Sequence, residues 1–468
     1  SPRGGARVLG QRCAVRQEQR HPGATRALLH WPLVAALMLG GCGGKDEEFI
    51  EGERVPVLVY DTGLRADKSV KDLEVRLPEP YVNVAWPQAG GFPDHAMHHL
   101  AASEKLQVAW KKKIGVGNST RTDLWNRIGL SERRRLTSSP VVVLGKIFAM
   151  DAETVVTALD ENEGDRLWQV DLKPKEGEEH GGIFGGGVAF FQGRLYVTTG
   201  YGKIFALDPD SGKTIWKTDV KKPLRDAPTV SDGRVYSVSF DNLLYVMSAD
   251  TGEILWTHEG FLENAGLLGV GSPAVAEGLV IVPFSSGELY ALRVENGRVA
   301  WSDTLMRTGL MTPMAALSDI DARPIIDGGR VYSVSNGGRM AAIDLRSGER
   351  LWERNIAGHQ PPWLAGGFLF LVTDANEVVC ISKIDGKIKW VTKLPRFKDE
   401  KHENVLQWTG PVLVSDRLIL TSSHGYAASL SPYTGKFLGR AKLSGPIAVQ
   451  PVVANNSLYL LTENAELV

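Results

Sequence analysis

Hydrophobic and polar residues alternate along most of this chain in short runs, each closed by Asp, Asn, Ser, Thr or Gly. The stretch GRVYSVSFDNLLYVMSADTGEILWTHEG, Gly233 to Gly260, shows the pattern. Alternation with a period of two predicts half-buried strands, and the Asp-Asn and Thr-Gly pairs between the runs predict tight turns. No long run carries the 3.6-residue period of an amphipathic helix. The elements expected are therefore short antiparallel strands joined as hairpins.

The hairpins repeat. Ala158, Ala206, Val246, Ala291, Ala342, Cys380 and Ser429 each open one copy of a phrase of about fifteen residues. Six positions on stands a glycine in every copy: Gly164, Gly212, Gly252, Gly297, Gly348, Gly386 and Gly435. Ten positions on stands Trp168, Trp216, Trp256, Trp301, Trp352 or Trp390, with Gly439 the exception. Each phrase follows another strand pair, giving four strands per repeat. Repeats of roughly 40 to 55 residues built this way predict propeller blades. A small opener and a large indole suggest that each Trp fills the gap to the neighbouring blade.

The two ends supply one more blade. SEKLQVAWKKKIG, Ser103 to Gly115, matches only a last strand, with Trp110 in the Trp position. NNSLYLLTENAELV, at the C-terminus, matches middle strands and stops in mid-strand. Neither can bury its faces alone. The expectation is an all-β, eight-bladed β-propeller over residues 103–468, with the N-terminal strand pairing with the C-terminal ones so that no edge is left open.

The N-terminal region reads differently. Arg26 precedes an apolar run, Ala27 to Leu39, that is short for a membrane span and ends in Gly40-Gly41-Cys42. That is the layout of a signal peptide over residues 1–41. A cysteine directly after the small residues resembles a bacterial lipobox, which implies cleavage before Cys42 and lipidation of its thiol. Gly43, where an Asp would retain a lipoprotein at the inner membrane, implies sorting to the periplasmic face of the outer membrane. Residues 1–25 read as lying upstream of the true start. Residues 42–80 are polar and Pro-bearing and read as a tether, and 81–102 as a segment packed on the ring.

Charge and cysteine usage narrow the functions. Loss of residues 1–41 removes six Arg and one Glu, taking the net charge from −1 to −6, which disfavours nucleic-acid binding. The triplet Arg133 to Arg135 reads as a solvated loop. Of three cysteines, Cys13 precedes the cleavage site, Cys42 would be lipidated and Cys380 replaces a small buried residue, so no disulfide framework is expected. His95, His98 and His99 invite a zinc reading, but no Cys or carboxylate cluster stands with them at ligand spacing. No metal or cofactor is expected.

The phrase A-x-D-x-x-(S/T)-G-x-x-x-W, with the lead-in WPQAGG, is similar to the repeat of quinoprotein propellers. Two groups share it: periplasmic dehydrogenases using pyrroloquinoline quinone (PQQ), and the BamB lipoproteins of the outer-membrane β-barrel assembly machinery. The dehydrogenases commonly carry adjacent cysteines and a Ca²⁺ held by oxygen ligands with an Asp base. This chain has no Cys-Cys, and acids such as Asp226 or Glu263 form no such constellation. The lipobox, tether and eight blades resemble the BamB family more closely, which implies a non-enzymatic scaffold that binds the POTRA domains of BamA, with nascent outer-membrane proteins as a further possible ligand. In that family an L-S-D-x-D loop helps make the contact, and Leu317, Ser318, Asp319 and Asp321 match it. A second family contact is a Leu-x-Leu-Arg loop. Here Leu267 matches its second Leu, while Ala265 and Leu268 depart from it. Leu267 and Leu268 are expected as apolar anchors, and Asp319 and Asp321 as exposed loop charges at one rim of the ring.

Overall fold

In the computed structural model, residues 63–118, 135–175, 185–262, 271–306, 319–398, 404–447 and 449–468 are described. They form a ring of eight antiparallel blades. Blades 1 to 7 span 141–171, 186–219, 229–259, 274–304, 325–354, 363–393 and 408–442, each a meander of four sequential strands. Blade 3 is representative, with strands Thr229–Ser231, Arg234–Val238, Leu243–Ser248 and Ile254–Glu259. Its first three strands are mostly buried, and its fourth alternates between exposed and half-buried residues.

Blade 8 closes the ring as expected. Strands Val452–Ala454 and Ser457–Tyr459 pair with each other, and Glu466–Leu467 pairs with the N-terminal strand Lys112–Lys113. The Leu461–Leu467 bridge joins the two halves. Among the described residues the only helical element is the 3-10 turn Lys68–Val70, and no helix is long and apolar enough to cross a membrane.

The repeated phrase makes the joints. Opener and Trp are cross-strand partners in every blade that has both, as Ala158 with Trp168 and Val246 with Trp256. A bulge follows directly after the opener, so the strand bends there. Each indole then reaches the next blade. Trp168 donates Nε1–H to Pro209 O at 2.9 Å, Trp216 to Ala249 O at 3.0 Å and Trp301 to Leu345 O at 2.7 Å. Trp110, Trp256, Trp352 and Trp390 do the same to Glu161, Val294, Lys383 and Pro432. Every acceptor stands three positions after an opener. The repeat glycine packs against the same ring: a Cβ on Gly252, whose φ is +75°, would lie 2.5 Å from Trp216. Gly must stand there for both reasons. The expected role of the Trp residues is thus confirmed as structural.

Apolar clusters fill the spaces between neighbouring blades, as where Tyr196, Ile204 and Ala206 of blade 2 meet Val230, Val235 and Met247 of blade 3. Cys380, an opener, is fully buried there, and burial pushes its thiol pKa up. Between blades 7 and 8 the pattern breaks. Gly439 supplies no indole, and a crevice of about 860 Å³ bordered by Leu106, Gly439 and Leu458 opens at that seam.

The segment 81–102 does more than rest on the ring. It runs around the axis and bonds to the first strand of each blade in turn, or to the residue that follows it. Asn83 O accepts from Asn455 N of blade 8 at 2.7 Å, and Trp86 exchanges two bonds with Val142 of blade 1. Pro87 O accepts from Phe190 N of blade 2, and the Gln88 amide brackets Val230 of blade 3, accepting from its N–H at 2.8 Å. Pro93 O and Asp94 O accept from Val275 N and Ile326 N of blades 4 and 5. Trp363 Nε1 of blade 6 donates to His98 O at 2.7 Å, and Leu100 pairs with Leu413 and Ser415 of blade 7. The open inner edge of the blades is thereby capped at one face.

The three histidines serve this segment separately. His95 Nδ1 meets Pro324 O at 2.8 Å, and His99 Nδ1 meets Pro78 O at 2.7 Å while His99 Nε2 accepts from Asp416 N. His98 points to Asp327, 3.7 Å away. Among the described residues no group of three His, Cys, Asp or Glu could hold a metal ion.

One boundary needs correction. The tether expected to reach Pro80 is already packed from Gly63. Asp67 exchanges bonds with Ile388 of blade 6, Lys389 Nζ donates to Val70 O at 3.1 Å, and Val70 and Val75 are buried. Two isolated valines in a polar run gave too weak a period to reveal this.

Candidate partner-binding site

The predicted site residues fall in the connections between blades 3 and 4 and between blades 4 and 5. Leu267, Leu268, Leu317 and Ser318 lie outside the described residues. Asp319 and Asp321 are described, and both depart from expectation. Asp319 is fully buried and Asp321 is 7 % exposed, so neither is a free charge at the rim. The described residues 319–324 lead into the first strand of blade 5, Ile325–Asp327, and include Arg323.

A buried ionic network results. Arg225, from the connector before blade 3, places Nη2 3.6 Å from Asp321 Oδ1. Asn336 Nδ2 donates to Asp321 Oδ2. Arg323 lies 3.8 Å from Asp226 Oδ2 and donates to Gln450 Oε1 of the blade 8 connector at 2.6 Å. Asp226 also accepts from Ser272 Oγ at 2.8 Å and from Ala227 N at 2.7 Å. Blades 3, 4, 5 and 8 are thus tied across the axis.

Burial sets the electrostatics. It raises the Asp321 carboxyl pKa, opposed by Arg225 and then by the Asn336 hydrogen bond. It raises Asp226 likewise, opposed by Arg323 and Ser272. Desolvation outweighs the ion pairs in both, as expected for charges held at more than 3.5 Å with little water to hydrate them. At the cluster's edge His359 Nδ1 meets Asp374 Oδ1 at 2.6 Å; burial lowers the imidazole pKa, but Asp374 and Asp321 more than offset it, and the net shift is upward.

The network continues outward through residues that the sequence reading did not single out. Arg225 Nη1 lies 3.5 Å from Asn242 Oδ1, and that oxygen also accepts from Ser285 N and Ser285 Oγ. Asn242 Nδ2 donates to Phe261 O at 2.7 Å. A contact path therefore leads from buried Asp321 to Phe261, at the edge of the stretch containing Leu267 and Leu268. Arg225 and Asn242 carry no motif, and only their burial marks them.

Such a ring, with an aromatic-and-glycine joint between seven of its eight pairs of neighbouring blades, defines the quinoprotein-type propellers. Among solved structures it is similar to BamB from Moraxella catarrhalis, with a TM-score of 0.60 at 18% identity over 70% of this chain and 94% of that one. It is equally similar to the quinohemoprotein alcohol dehydrogenase of Comamonas testosteroni, at 0.60 and 14% identity over 80% of this chain and 76% of that one. Fold alone does not separate the two. The family model described as outer membrane protein assembly factor BamB matches residues 151–392, and the chain belongs to that family. Curated relatives of that description include those of Yersinia pestis, 29% identical over 67% of this chain and 79% of the relative, and of Escherichia coli K12, 28% identical over 69% and 81%.

Proposed function

We propose that this protein is a non-enzymatic scaffold of outer-membrane protein assembly, held at the periplasmic face of the outer membrane by a lipid on Cys42. It binds the POTRA domains of BamA through the face that carries the blade connectors. The observation that carries this reading is that, in a BamB-family ring, a capping segment and a buried ionic network occupy the inner strands and their connectors. One end is capped by residues 83–100, and the acids at the other end are spent on internal partners. Buried Asp226, one of the acids an enzymatic reading could draw on, accepts from Ser272 Oγ and Ala227 N and lies 3.8 Å from Arg323.

The burial of Asp319 and Asp321 changes their part in that binding. Asp321 holds the connectors in place through Arg225, and the partner meets the connectors themselves. The test is direct capture of the purified mature protein by immobilised BamA POTRA domains. Saturable binding supports the scaffold, and no binding at about 100 µM, where even weak specific pairs are visible, overturns it.

A further inference from the structure

The fourth strands form the outer rim of the ring, and the fifteen-residue phrase of each blade supplies them. Exposed apolar residues recur around this rim nine positions after the opener, as Leu167, Ile215, Leu255, Leu351 and Leu438. They distinguish no side. Charge does. The phrase of blade 1 holds five acids and one Arg, and that of blade 3 holds three acids with no Lys or Arg. The phrase of blade 6 holds four Lys and one Asp, and that of blade 7 two Lys and one Arg with no acid. In blade 8 the stretch Ser103 to Gly115 holds four Lys and one Glu. Three consecutive blades thus share a basic rim, on a chain whose net charge is −1.

Part of this charge is spent within the ring. Lys383 and Lys387 pair with Asp327 and Asp385, and Lys112 pairs with Asp165 of blade 1. The rest is not. Lys105, Lys111, Lys393, Lys436, Arg440 and Lys442 are exposed, and none of them pairs with a carboxylate among the described residues. Lys105, Lys111, Arg440 and Lys442 border the same crevice, so blades 7 and 8 present their cations together. At the centre of the rim, the fourth strand of blade 7, Phe437–Lys442, is exposed at every residue, with Gly439 where other blades place a Trp. Like charges crowded in this way repel one another and gain from an opposing surface.

We propose that the rim of blades 6 to 8 is the edge of the ring that meets the bilayer, where its cations take anionic phospholipid headgroups and Phe437 and Leu438 enter between them. This rests on the lipid anchor proposed above and adds the orientation of the ring to it. Two observations choose a lipid surface. The cations are spread along three blades and are mostly Lys, a compact point charge that suits a diffuse array of phosphates better than a shaped pocket. The chain also reaches the ring at this edge. Gly63 packs against Glu377 and Lys393 of blade 6, and the twenty residues between it and Cys42 span at most about 70 Å. Salt screens exposed charges, so the lipid retains the protein and the rim decides which edge faces the membrane.

The test uses the full mature chain carrying Cys42→Ala as the parent, so that no lipid contributes, and reads Tm, sedimentation and flotation with vesicles. The parent should float with vesicles of phosphatidylethanolamine and phosphatidylglycerol at low salt, come off at high salt, and leave vesicles of phosphatidylcholine alone. Lys436→Glu/Arg440→Glu should weaken that flotation at least roughly tenfold. Lys213→Glu/Lys217→Glu makes the same change of charge at the same two offsets in blade 2, and should leave most of it. All four side chains are exposed, so both pairs should melt as the parent does. A parent that does not float, or equal losses from the two pairs, overturns the rim and leaves lipid and scaffold standing. A parent that self-associates instead of floating overturns it in favour of a second copy, docked by its acidic blades 1 and 3. If the glutamate pair unfolds, Lys436→Gln/Arg440→Gln decides the question by weakened or unchanged flotation. None of these readings depends on a palmitate label at Cys42, so rim and anchor can fail separately.

Discussion

Gly252 lies flat against the indole of Trp216, one blade away, while that indole donates to Ala249 in the same turn. The same arrangement, glycine under ring and ring bonded to carbonyl, joins seven consecutive pairs of blades from Trp110–Gly164 to Trp390–Gly435. It explains why two offsets persist in a repeat whose other positions vary.

Substitution at this joint separates backbone strain from packing. Gly252→Ala must bear a positive φ of +75° and a Cβ 2.5 Å from Trp216, whereas Gly233→Ala bears a φ of +69° with nothing within 4 Å. We expect Gly233→Ala to cost about 1 kcal/mol and Gly252→Ala roughly 2–4 kcal/mol. Urea melts of the two, compared with wild type, give the difference. Equal losses would show that the turn and not the joint requires glycine.

The capping segment can be weakened at one blade. Gln88→Ala leaves both backbone groups of Val230 buried without their partners. The loss should be about 1–3 kcal/mol, with the ring still closed. Hydrogen exchange should show faster opening at Val230 than at Val275, whose partner is the backbone of Pro93. Uniform exchange at both would argue against a bond that acts locally.

Asp321 is expected to behave as a core residue. Asp321→Ala removes the carboxylate paired with buried Arg225 and the acceptor of Asn336, and should cost roughly 3 kcal/mol because the buried guanidinium loses one of its opposing charges. Asp321→Ala together with Arg225→Met should recover much of that loss. A thermal melt of Asp321→Ala identical to wild type would return the residue to the surface role its sequence suggests.

Acid should loosen the cap. Burial, with Arg323 nearby, lowers the His95 pKa from 6.5 to about 3, so the folded ring keeps this imidazole neutral where the unfolded chain protonates it. Stability from this group is complete above pH 6.5 and is lost as pH falls from there towards about 3, on the order of a few kcal/mol in all. His95→Gln should flatten the fall in Tm between about pH 7 and about pH 4. An unchanged slope would assign the acid sensitivity elsewhere.

Cys42→Ala tests the anchor. The variant should move from the outer-membrane fraction to the soluble periplasm, and metabolic labelling with palmitate should disappear. Membrane association that persists without label would remove the lipid from the proposed function.

The propeller was legible because its joints are made by residue types that nothing else explains: a glycine and a tryptophan at fixed offsets, seven and six times over. The split blade was legible because each end carried a fraction of that phrase. What stayed hidden depends on neighbours distant in sequence. Asp319 and Asp321 read as loop charges, since their burial is created by Arg225, about 95 residues earlier in the chain. Gln88 reads as an ordinary polar residue until Val230 is brought beside it.

The capping segment also works as a ruler. Its bonding groups are ordered along the chain as the blades are ordered around the axis, beginning at blade 8 and ending at blade 7. A ring of seven would leave one notch empty, and a ring of nine would leave one inner strand without a partner. Because the segment precedes all seven complete blades in the sequence, the measure of the ring is synthesised before the parts it counts.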